Sequence, residues 1–87
     1  MRLSIKLKAS DSAAACGWHC RLSDLSKGYR VSERPLPFGR TSICLKREGV
    51  ALILKQGGQT AVRTDIDDPT SEQLAMLDDL HRIGMLD

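Results

Sequence analysis

Cys16, His19, Cys20, Cys44 and His81 are the chain's cysteines and histidines, enough donors for a tetrahedral zinc site. Their spacing argues against one. Zinc knuckles set two cysteines two residues apart on a tight turn, whereas Cys16-Gly17-Trp18-His19-Cys20 places three residues between them inside an alternating apolar pattern. On an extended strand Cys16 and Cys20 share a face with Trp18 while His19 points the other way, so the expected role is that of buried thiols beside a core tryptophan. A small zinc-binding domain is the alternative.

Nucleophilic catalysis needs a histidine beside the nucleophile and a third group to orient it, and His19 cannot serve Cys20 from the opposite face of one strand. No Gly-x-Ser-x-Gly elbow is present. The carboxylate pairs Asp67-Asp68 and Asp78-Asp79 are expected as a helix cap and a solvated helix face, and Gly57-Gly58 lacks the Lys-Ser/Thr of a phosphate-binding loop. The sequence therefore assigns no catalytic residue, no metal ligand and no cofactor, and the chain is expected not to be an enzyme.

Charge is the feature with functional reach. Residues 1–64 carry twelve Lys/Arg against four Asp/Glu, a net of +8, while residues 65–87 carry one Arg against seven acids, a net of −6. A one-signed surface attracts the opposite sign, on another molecule or on the chain's own acidic segment. Arg2, Lys6 and Lys8 lie on the polar side of a first strand, and Arg21, Arg30, Arg34 and Arg40 follow from later segments. If these strands are neighbours, the side chains form one patch. Pro35-Leu36-Pro37-Phe38-Gly39 then sets Leu36 and Phe38 on a stiff connector between arginines; such a connector suits protein recognition if the apolar side chains protrude, and the expectation is that they tuck under the sheet.

The elements that must position these residues follow from periodicity. Leu3, Ile5 and Leu7 alternate with polar residues, the period of a half-buried strand. The same test predicts strands at about 2–8, 16–22, 29–33, 42–47, 50–55 and 60–65, with Glu48-Gly49 and Gly57-Gly58 turning two successive hairpins. Ala51 to Leu54 is apolar on both faces, which predicts a central strand covered on both sides. A helix over about 69–83 should start with Asp68 as N-cap and Pro69 at its first position, bury Leu74, Met76, Leu77, Leu80 and Ile83, and stop at Gly84. The fold class is α+β: one small domain, 1–87, in which a bent antiparallel sheet or partial barrel of five to six strands packs on one C-terminal amphipathic helix. The hairpin, the Asp67-Asp68-Pro69 run and the terminal helix resemble the last third of bacterial pleckstrin-homology-like modules over about residues 43–83; the resemblance implies the bent sheet plugged by a helix and transfers no functional residue.

The 87 residues hold 41% hydrophobic and 28% charged side chains, ordinary for a globular domain, with aromatics limited to Trp18, Tyr29 and Phe38, so the core must be aliphatic. No apolar run reaches the length of a membrane helix, and an odd cysteine count fits reduced thiols in the cytoplasm. The expected function is a small protein-binding module, an inhibitor or regulator in the manner of a phage antagonist, docking through Arg2, Lys6, Lys8, Arg21, Arg30, Arg34, Leu36, Phe38 and Arg40. The expected partner is a protein with an acidic surface, or a second copy of the chain, with no membrane involved. The alternative is a nucleic acid held on the same basic face.

Overall fold

The computed structural model describes residues 1–7, 22, 25, 28–57 and 63–86. Among these described residues five strands form two antiparallel sheets beside one C-terminal helix, an α+β arrangement. The strands are β1 (Arg2–Lys6), β2 (Tyr29–Pro35), β3 (Arg40–Arg47), β4 (Val50–Gly57) and β5 (Arg63–Asp67), and the helix is α1 (Ser71–Arg82).

The three-stranded sheet, in the order β2-β3-β4, is built from consecutive hairpins. Between β3 and β4 the chain turns in two residues, Glu48 (φ 51°) and Gly49 (φ 80°). Positive φ at both central positions is the geometry whose twist matches the flanking strands, and it makes Arg47 and Val50 the first cross-strand pair.

Residues 58–62, the turn of the second expected hairpin and the start of its second strand, lie outside the described residues. Among the described residues the ladder partner of β5 is β1, with Leu3 opposite Ile66 and Ile5 opposite Thr64. What joins the two sheets is a side chain: the Lys55 amide donates to Thr64 Oγ1 at 3.2 Å, and that hydroxyl donates to the Lys55 carbonyl at 3.2 Å. Thr64 thus stands in for one rung of a ladder, and it is the one buried polar residue among those described.

Alternation on the three-stranded sheet sends Ile43 and Leu45 of β3 and Leu52 and Leu54 of β4 to one face, all at most 1% exposed. Met76, Leu77 and Leu80 of α1 pack on that face, and Leu7, Leu22, Leu25, Ile66 and Met85 belong to the same core. Ala51 and Ile53 fall on the other side, where Ile53 is 56% exposed. The expected central strand is therefore corrected. Among the described residues β4 is the last strand of its sheet, and an apolar residue type at Ile53 does not imply a second cover.

The helix also departs from expectation at its start and along its stripe. Asp68 has φ 44°, outside the extended region that an N-cap needs, and its carboxylate pairs with the N-terminal ammonium of Met1. The cap is Thr70 instead: its hydroxyl accepts from the Gln73 amide at 3.1 Å, and the Gln73 side chain accepts from the Thr70 amide at 3.0 Å, a reciprocal capping box. Leu74, placed on the buried stripe by spacing, is 42% exposed. At the other end Gly84 (φ 80°) ends the helix; its amide donates to the His81 carbonyl at 3.0 Å, and that of Met85 to the Leu80 carbonyl at 3.0 Å, a Schellman closure that sends Met85 into the core.

The expected strand over 16–22 meets a correction at its last residue. Leu22 has helical backbone, and the Leu25 amide donates to its carbonyl at 3.1 Å. Both leucines are buried, three residues apart, a spacing that competes with the period of two. Residues 8–21, and with them the rest of that expectation, lie outside the described residues.

Candidate docking face

The far side of the three-stranded sheet follows from its register. Arg30 pairs across with Lys46, and Lys46 with Ala51; Ser32 with Cys44, and Cys44 with Ile53; Arg34 with Ser42, and Ser42 with Lys55; Arg40 sits opposite Gly57. Residues in cross-strand register point the same way, so Arg30, Arg34, Arg40, Lys46 and Lys55 share one surface, and all five are exposed. That surface carries no Asp or Glu from the three strands. Among the described residues none of the five side chains has an ion pair. Like charges across neighbouring strands repel, so the face is electrostatically incomplete.

Periodicity singled out three of these five, Arg30, Arg34 and Arg40. Lys46 and Lys55 were missed, although a signal existed: Arg40, Ser42, Cys44 and Lys46 alternate with Thr41, Ile43, Leu45 and Arg47, and Lys55 keeps phase with Ala51 and Ile53. Arg2 and Lys6 lie elsewhere. They belong to the β1–β5 sheet, where Arg2 lies 2.6 Å from Asp65 and 3.9 Å from Asp67, and Lys6 stands opposite Arg63. The acids beside Arg2 come from β5, and the hydrogen bond from Ser4, with Arg2 beside it, holds the Asp65 carboxyl below its ordinary value. Lys8 and Arg21 lie outside the described residues, as do Cys16, His19 and Cys20. Among the described residues, Cys44 is a free, half-buried thiol on the basic face, and no three His, Cys, Asp or Glu side chains gather as a metal site.

At one end of this face the chain passes from β2 to β3 through Leu36–Gly39. The Leu36 amide donates to the Arg40 carbonyl at 2.8 Å, and the Arg40 amide to the Pro37 carbonyl. The tightness of that turn puts Phe38 at φ 62°, ψ 35°, a left-handed conformation that costs a residue with a Cβ roughly 1–2 kcal/mol. Leu36 is half-buried as expected of a tucked side chain, but Phe38 is 96% exposed, which corrects the expectation that both tuck in. No burial offsets the strain at Phe38.

Behind the sheet, one polar cluster pins the helix. Tyr29 donates its hydroxyl to Asp79 Oδ2 at 2.6 Å, Arg47 reaches the same oxygen at 3.2 Å, and Arg82 holds Oδ1 at 2.8 Å. Asp79 is thus the acid that meets a basic neighbour, while Asp78 is exposed. Burial, and then the hydrogen bond to Asp79, push the Tyr29 phenol above its ordinary value near 10. The folded state therefore holds that proton more tightly than the unfolded one; its contribution is complete below about pH 10 and is lost as pH rises through the folded value. The gap in urea midpoint between wild type and Tyr29→Phe is expected to hold constant up to about pH 10 and to narrow as pH rises above it. A constant gap would mean that the hydroxyl does not couple sheet to helix.

The chain matches no family model, no curated protein and no solved structure. Among the described residues no helix is long and apolar enough to cross a membrane.

Proposed function

We propose that the protein is a small non-enzymatic binding module that docks the basic outer face of β2-β3-β4 against an acidic surface of a protein partner. It acts by occupancy, as an inhibitor or regulator. One observation carries the reading: five exposed cations on one sheet face, with no acid from its strands and no ion pair among the described residues. An opposing carboxylate surface removes that like-charge repulsion and speeds encounter. The odd cysteine count, with Cys44 free, fits a reducing, cytoplasmic setting.

A nucleic acid is the second reading, favoured by the same uninterrupted cationic face. The face carries Ile53, Cys44 and two serines at its centre and no aromatic from its three strands on which a base would stack, so the protein reading ranks first.

Cross-linked pull-down from the native host is expected to recover a definite partner with wild type and with Asp78→Lys, and to lose it with Arg34→Glu/Arg40→Glu. Equal recovery by the double reversal would exclude the face. Binding of a duplex or single-stranded oligonucleotide that weakens steeply from low to physiological salt would move the assignment to the second reading.

A further inference from the structure

Opposite ends of β3 carry a knob and a hole. At the Arg40 end stands Phe38, fully in solvent, with exposed Arg34 and Arg40 beside it on the flanking strands. At the Arg47 end a cleft of about 230 Å³ opens between the β3–β4 turn and α1. Its apolar lining is Val50, Ala75 and Met76, and Glu48 and Glu72 stand on its rim. Both glutamates are exposed and neither has an ion pair among the described residues; Arg47, also on the rim, is already held by Asp79 at 3.2 Å. An apolar cavity of about 150 Å³ accepts a benzene ring, so a phenyl group is within the cleft's size.

The two features cannot meet in one molecule. The strand between them, Arg40–Arg47, is eight residues long and spans about 25 Å at roughly 3.3 Å per residue. A second copy brings its own knob to the first copy's hole.

We propose that the protein self-associates head to tail: Phe38 of one copy seats on Val50, Ala75 and Met76 of the next, with Arg34 and Arg40 facing that copy's Glu48 and Glu72. Apolar fit and charge sign agree at the same place. The contact is heterologous, so each added copy presents a fresh knob and a fresh hole, and assembly continues until the rotation closes a ring. The strained backbone at Phe38 has a use in this arrangement, since it lifts the ring clear of its own sheet. The inference stands independently of the docking reading above, because it needs only the purified chain.

Sedimentation equilibrium of the reduced full chain tests it. From about 10 μM to about 1 mM at low salt, the weight-average mass is expected to climb from the monomer's 9.6 kDa to well above twice that, as a small interface of weak affinity requires. Added salt should reverse the rise. Phe38→Gly, which suits the left-handed turn, is expected to weaken association about tenfold or more while its thermal midpoint stays at or above wild type. Glu48→Lys/Glu72→Lys and Arg34→Glu/Arg40→Glu should each stay monomeric alone and associate when mixed, because in the mixture each variant's knob meets a hole of opposite sign on the other. A constant monomer mass across the range, association of Phe38→Gly at wild-type strength, or a mixture that stays monomeric would each overturn the proposal. Equal recovery of a host partner by wild type and Arg34→Glu/Arg40→Glu, with wild-type self-association intact, would instead fault only the docking face.

Discussion

Leu80→Ala is expected to lower the free energy of unfolding by about 2–5 kcal/mol, read as a shift in urea midpoint at unchanged slope. Leu80 is fully buried where the helix meets the sheet, and its carbonyl receives the Met85 amide at the helix stop. Truncation opens a cavity in the cluster that the helix shares with Leu45, Leu52 and Leu54. Domains of this size have total stabilities near the low end of about 5–15 kcal/mol, so a measurable unfolded fraction should appear without denaturant. Leu74→Ala, at a position 42% exposed on the same helix, should cost under about 1 kcal/mol. Equal losses from the two truncations would mean that the helix is not seated as described.

Thr64→Val is expected to cost about 1–3 kcal/mol although it preserves shape. The valine fills the same space but leaves the Lys55 amide and carbonyl without the hydroxyl that serves both. A buried donor and acceptor stranded together cost more than the hydrogen bonds themselves contribute. Thr64→Ser keeps the oxygen and should recover most of the loss, and amide exchange at Lys55 should accelerate in the valine variant alone. An unchanged midpoint in Thr64→Val would mean that water replaces the hydroxyl and that the two sheets are joined mainly by their apolar faces.

Local signals carried much of this architecture and long-range ones did not. The β3–β4 turn was readable because Glu48-Gly49 sits between two apolar runs, and the helix stop because Gly84 follows a helical stripe. The partner of β5 was not readable, since Ile5 and Thr64 meet across 58 intervening residues and no propensity encodes that pairing. That pairing also sets Arg2 and Lys6 apart from the later arginines. Arg2 and Lys6 were grouped with the later arginines, whereas β5 supplies acids to Arg2; Lys46 and Lys55 were overlooked because only the three-strand register brings them beside Arg30 and Arg34. Thr70 lost to Asp68 as the expected cap because the Asp68-Pro69 pair is the stronger local motif, and the ammonium of Met1, a tertiary contact, claims that carboxylate.

The pairing of β1 with β5 also orders events in time. Strands β2, β3 and β4 are joined by short turns and can zip in sequence, but β1 finds its neighbour only after nearly the whole polypeptide has been drawn back on itself, with the entropy of that large loop to overcome. Substitutions at Leu3 or Ile66 should therefore speed unfolding while leaving the refolding rate nearly untouched, the kinetic mark of an edge that locks last.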